Sequence, residues 1–186
     1  MNTATITLRE NQVRLGLWLF LATVTMLFAA FTSAYIVRRS GTDWHHLTLP
    51  PILWLNTFVL GASSVAVEWA DRSGRLRRWR TASFAFGSAL AFGVAFLAGQ
   101  MAAWRQMVAL GVYLPTNPHI SFFYMLTGAH AAHIVAALVV LMWGLMKTGE
   151  ASRNPRAWSA RMDLCRTFWH YLGGVWLFLF ALVSLY

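Results

Sequence analysis

Five stretches of this chain, residues 15–37, 52–70, 81–104, 120–146 and 167–186, are almost free of charge and long enough to cross a bilayer. At a rise of about 1.5 Å per residue, the first alone exceeds the roughly 30 Å hydrocarbon core. Only the second carries a formal charge, Glu68, close to its end. The membrane interior has no water to satisfy backbone N–H and C=O groups, so spans of this kind are expected to be helices. The alternation expected of lipid-facing barrel strands is absent. The sequence therefore predicts an all-α integral membrane bundle of five helices. With 58% hydrophobic residues, nearly every segment belongs to a span and a single domain over 1–186 is expected.

Basic residues orient the bundle. Arg9 and Arg14 precede the first span; Arg72, Arg75, Arg77, Arg78 and Arg80 separate the second from the third; Lys147, Arg153, Arg156, Arg161 and Arg166 precede the fifth. The opposite side holds only Arg38, Arg39 and Arg105. Positively charged loops are retained in the cytoplasm, which predicts a cytoplasmic N-terminus and a periplasmic C-terminus in a bacterial inner membrane. The net charge of +9 is spread over these loops instead of being gathered with aromatics on one surface, so no nucleic-acid partner is expected. Contact with anionic phospholipid head groups is the simpler reading. Trp18, Trp54, Trp69, Trp79, Trp104, Trp143, Trp158, Trp169 and Trp176 lie near span ends, as interfacial aromatics do. The first apolar run is too long for a signal peptide and is expected to stay.

Ala85, Ala89 and Gly93 recur at helical spacing in the third span, and Ser88, Ala91, Ala95, Ala98 and Ala102 form a second small-residue stripe. Small residues let backbones approach where lipid offers apolar side chains no reason to pair, so this span is expected inside the bundle or against a partner. In the fifth span Trp169, His170 and Trp176 surround Gly173 and Gly174, which suits close crossing by another helix.

Few polar residues lie within the spans. Glu68 has three readings: an interfacial carboxylate paired with Arg72 at i, i+4; a buried pairing with His170 or another helix; or, less favoured, a protonatable group beside a proton-entry route. His130 and His133 share a face near mid-membrane and are expected to hydrogen-bond across helices or to a partner. A metal or haem would need more ligands than this pair. His170 sits nearer the opposite end of its span, and His45, His46 and His119 fall in loops. Cys165 is single, so neither an intrachain disulfide nor a Cys-pair metal site is available. No Ser-His-Asp set, phosphate-cradling glycine loop or redox Cys pair occurs.

Several segments together resemble subunit III of haem-copper terminal oxidases (the cytochrome c oxidase type), in its five-helix bacterial form. They are 15–22 with Met26 and the run 31–38; Trp54-Leu55-Asn56-Thr57 with Ser63-Ser64 and Glu68-Trp69-Ala70; Gln100; the TG-x-H-x-x-H element Thr127-Gly128 to His133; and Trp169-His170 with Val175-Trp176-Leu177-Phe178. Two positions depart from the family pattern. Val24 stands where relatives often carry a carboxylate in this helix, and Gly173 where an Asp frequently follows the Trp-His pair. The resemblance implies a non-catalytic subunit with no cofactor of its own, packed on a catalytic subunit I whose haem and copper reduce O2 to water while protons are pumped. It also implies bound phospholipid and support of proton uptake, and leaves open whether the oxidase joins a larger respiratory assembly. Rival readings are the accessory subunit of a nitric oxide reductase, a di-histidine membrane cytochrome, and a small transporter with Glu68 as the coupling acid.

Overall fold

The computed structural model describes residues 3–41, 50–109, 118–150 and 153–185. Five α-helices follow one another: α1 Thr3–Arg39, α2 Ile52–Arg75, α3 Trp79–Ala109, α4 Pro118–Met146 and α5 Pro155–Leu185, with a short 3-10 turn at Lys147–Glu150. Each contains a segment long and apolar enough to span a membrane. His45 and His46 lie outside the described residues.

The helices overrun the apolar stretches. α1 begins twelve residues, and α5 twelve residues, ahead of the uncharged runs that reveal them. Once a helix is nucleated, each further residue adds a backbone hydrogen bond, and solvated charged residues do not oppose it. The extension matters because it carries Asp71, Asp163 and Arg166 on helices, not in loops. His119, expected in a loop, is likewise in the first turn of α4, buried, with its Nε2 3.2 Å from the Tyr35 hydroxyl of α1.

α2 and α3 share the most extensive contact of any helix pair. Polar side chains of α2 donate to backbone carbonyls of α3: Ser63 Oγ to Ala89 O at 2.8 Å, and Asn56 Nδ2 to Phe96 O at 3.0 Å. Such bonds require small residues opposite, and Ala85, Ala89 and Gly93 are indeed buried. At Gly93 an added Cβ would lie 2.6 Å from Leu138 Cδ2 and 2.7 Å from Trp169 Cη2, so this glycine seats α4 and α5 on α3. The second stripe packs only at its ends: Ser88 and Ala102 are half-buried, but Ala91, Ala95 and Ala98 are exposed, because they lie on the helix face turned away from the seam.

The turn between α2 and α3 is closed by Arg78 N–H to Ser73 O and Arg77 N–H to Gly74 O, both 2.9 Å, with Arg77 at φ 57°. This paired-bond helix stop needs a left-handed residue, usually glycine, and here an arginine occupies it.

α1 is the peripheral helix. Leu21, Val24, Phe28 and Tyr35 form its single buried stripe, against α4 and α5. Val24 is thus an apolar core residue. The tryptophans divide: Trp18, Trp54, Trp69 and Trp143 are exposed, but Trp158, Trp169 and Trp176 are core residues and not interfacial anchors. Burial of their large ring surface among α2, α3 and α4 outweighs an interfacial position.

Candidate functional site

At the arginine-rich end of the bundle, seven charged or titratable side chains from three helices form an unbroken alternating ladder. Arg14 Nη2 of α1 lies 3.3 Å from Asp163 Oδ2 of α5, and Asp163 Oδ1 lies 3.3 Å from Arg75 Nη2 of α2. Arg75 Nε then donates to Asp71 Oδ2 at 2.9 Å, and Arg166 Nη1 donates to the same oxygen at 3.1 Å. Arg166 Nε lies 3.5 Å from Glu68 Oε1, which receives His170 Nε2 at 2.8 Å. Three of the chain's six acidic residues are in this ladder. Asp71 is its buried centre, with only 4% of its side chain accessible; two guanidinium groups on Oδ2 offset part of the desolvation of its charge, while the buried Oδ1 has no hydrogen-bond partner.

In the structure Glu68 is partnered by His170 and Arg166 on α5, a pairing that crosses helices but is partly exposed instead of buried, and no Glu68–Arg72 ion pair occurs among the described residues. Asp71, Asp163, Arg14, Arg75 and Arg166 are absent from the candidates read in the sequence. The available signal was the Asp71/Arg75 spacing of four, hidden because the apolar run stops at Ala70.

The other candidates scatter. His130 is fully buried in an aromatic sleeve of Phe28, Phe96 and Trp176, whose ring centroids lie 5.4 to 6.3 Å away. Neither of its ring nitrogens has a protein hydrogen-bond partner, and the buried amide of Gln100 has none either. His133 donates from Nδ1 to its own helix, at Ala129 O, 2.7 Å away. The cross-helix hydrogen bonds expected of this pair are therefore not made: an i−4 carbonyl satisfies one ring and apolar packing surrounds the other. Trp176 does bond across helices, donating from Nε1 to Thr57 Oγ1 at 3.0 Å, whereas the Nε1 of buried Trp169 has no partner.

Gly173 and Gly174 do not mediate a close crossing. A Cβ on Gly173 would meet only Ser64 Oγ at 3.8 Å, and one on Gly174 nothing within 4 Å. Gly174 instead borders an apolar groove of about 760 Å³ between α1 and α5, lined also by Thr25, Phe28, Thr32, Tyr171 and Phe178. A 2.6 Å hydrogen bond between Thr25 Oγ1 and Tyr171 OH joins α1 to α5 beside this groove.

Among the described residues no three His, Cys, Asp or Glu side chains gather as a metal site would require.

These features define a class: a multi-pass, all-α membrane protein. The family model described as cytochrome c oxidase subunit III matches residues 3–186. Among curated relatives, cytochrome c oxidase subunit 3 of Synechocystis sp. is 31% identical over 91% of this chain and 74% of its own length. The probable cytochrome c oxidase subunit 3 of Mycobacterium tuberculosis is 30% identical over 94% of this chain and 88% of its own. That of Bacillus sp. strain PS3, cytochrome c oxidase subunit 3, is 26% identical over 96% and 88%. The chain belongs to the cytochrome c oxidase subunit III family, and so is an accessory subunit of a haem-copper oxidase.

Proposed function

We propose that this chain packs on the catalytic subunit I of a proton-pumping respiratory oxidase, holds phospholipid at that contact, and sustains proton uptake while the partner's haem and copper reduce O2 to water. It does so as a non-catalytic, multi-pass subunit of a bacterial cytoplasmic membrane, with its N-terminus in the cytoplasm and its C-terminus in the periplasm. The observation that carries the reading is the family match over residues 3–186. The basic asymmetry of the loops supports the orientation. The apolar groove between α1 and α5 supports a lipid-holding role, since an apolar cleft of that size facing hydrocarbon takes an acyl chain at no desolvation cost.

The ladder supports a scaffolding role over a proton-conducting one. Guanidinium groups stay protonated throughout the physiological range, so a chain interrupted by Arg75 and Arg166 fixes helices and does not relay protons. The contribution to proton uptake is accordingly indirect, through the shape and lipid of the shared surface.

The test is to purify the oxidase with and without this subunit and follow successive turnovers. The depleted enzyme is expected to keep its haem spectrum and initial O2 reduction but to lose activity within fewer turnovers. Unchanged endurance, or loss of haem with the subunit, would contradict the proposal.

A further inference from the structure

Among the described residues, two buried side chains carry two polar atoms each and have a protein partner at neither: Gln100 of α3, 2% exposed, and His130 of α4, fully buried. They lie at the same level. Phe96 and Trp104 stand one turn before and one turn after Gln100 on α3, and both meet the same stretch of α4. The Phe96 ring centroid is 6.1 Å from that of His130, and Trp104 Nε1 is 3.2 Å from Thr127 Oγ1. Gln100 is thereby bracketed against the turn of α4 that carries His130.

The polar groups around the pair are already engaged. Thr127 Oγ1 receives Trp104 Nε1 and donates to Phe123 O at 2.6 Å, and Asn56 Nδ2 donates to Phe96 O. Trp176, whose ring centroid is 5.4 Å from that of His130, donates from Nε1 to Thr57 Oγ1. A buried polar atom without a partner costs stability where an apolar atom would not. The chemistry of these four atoms suits water: the amide offers two N–H donors and a carbonyl, the imidazole a donor and an acceptor, and a molecule that both gives and takes hydrogen bonds serves either tautomer. Beside the pair, a void of about 10 Å³ is bordered by Thr127 and Trp176 together with Leu53, Phe123 and Phe180. That is room for a single water. The only formal charge in the apolar stretches is Glu68, held in the ladder, so nothing here balances an ion.

We infer that one buried water bridges the Gln100 amide to a ring nitrogen of His130 and joins α3 to α4 within their spans, where no direct bond between the two is made. The first histidine of the TG-x-H-x-x-H element thereby gains a positioning role that needs no metal. With the water in place, its ring is held against Phe96 of α3 and Trp176 of α5, where three helices meet. The inference does not rest on the proposed function, and the turnover experiment on the depleted oxidase is decided separately.

The experiment pairs a density map of the intact oxidase, at a resolution that shows ordered solvent inside its helices, with unfolding of the full chain in mixed micelles. The map is expected to hold one peak about 2.8–3.0 Å from both the Gln100 amide and a His130 ring nitrogen. Gln100→Met, which keeps the volume and removes the amide, is expected to raise the unfolding constant about tenfold and to abolish the peak. His130→Phe does the same, and the double variant is little worse than either single one, because all three break one bridge. Gln106→Met, which removes an exposed amide farther along α3, changes nothing. An unfolding constant lowered by Gln100→Met would mean that the amide is dry, and strictly additive effects would uncouple the two residues. A direct Gln100–His130 hydrogen bond, or no density between them, would leave no place for water. Each of these results overturns the inference, and the wild-type map decides it even where a variant does not fold.

Discussion

His170 of α5 and Glu68 of α2, 102 residues apart in sequence, meet at 2.8 Å and close the end of the ion-pair ladder. The pair is partly accessible, 37% and 36% of the two side chains, so its strength lies between that of a surface and a buried pair. A double-mutant cycle of Glu68→Ala and His170→Ala is expected to return a coupling of about 1 kcal/mol, read from unfolding in mixed micelles. A value near zero would mean that the contact does not hold α2 to α5.

Asp71 carries more. Its buried carboxylate oxygen receives both Arg75 and Arg166, and its replacement by alanine leaves two guanidinium groups facing each other without the charge between them. Asp71→Ala should cost about 2–3 kcal/mol, less than the loss of a fully buried partner because both arginines retain some solvent. Asp163→Ala, at a more open rung, should cost about 1 kcal/mol or less in the same assay.

Arg77 sits in the left-handed region at φ 57°, where any side chain is strained. Arg77→Gly should therefore raise stability by about 1 kcal/mol, measured by the same unfolding titration, with helix content by circular dichroism unchanged.

The glycines separate into tight and open. Gly93→Ala forces its Cβ onto Leu138 and the Trp169 ring and is expected to destabilise by about 1–3 kcal/mol. Gly61→Ala, in open space, should be neutral or stabilising by about 0.5–1 kcal/mol. Equal effects at the two positions would contradict the packing of α3 against α4 and α5.

Because no third metal-ligating side chain joins His130 and His133 among the described residues, replacing both should leave the haem and copper content of the purified oxidase unchanged. Metal analysis and the reduced-minus-oxidised spectrum of a complex carrying His130→Leu and His133→Leu check this. Loss of either cofactor would make the pair a ligand set after all.

The five spans were legible because lipid imposes one rule on every residue of a helix: charge is excluded over a fixed length. Where that rule lapses, legibility lapses with it. Beyond Ala70 and before Thr167 the charged residues read as loop, yet they continue α2 and α5 and carry Asp71, Asp163 and Arg166 into the ladder. Ala85, Ala89 and Gly93 could be singled out by spacing. Spacing could not tell them from Ala91, Ala95 and Ala98, since only the neighbouring helix decides which stripe is buried. The same ambiguity turned Gly173 and Gly174 into an expected crossing. A small side chain permits close approach without requiring it, and here it borders open grooves.

The most direct test of the whole account is affinity purification of the tagged chain from its native membranes, with subunit stoichiometry and the optical spectrum recorded on the same sample. The account predicts a haem-copper catalytic subunit in equal amount, with all haem assigned to that partner and no Soret band in this chain once separated. A stoichiometric haem or copper retained by this chain alone, or a native complex with no oxygen-reducing subunit, would contradict it.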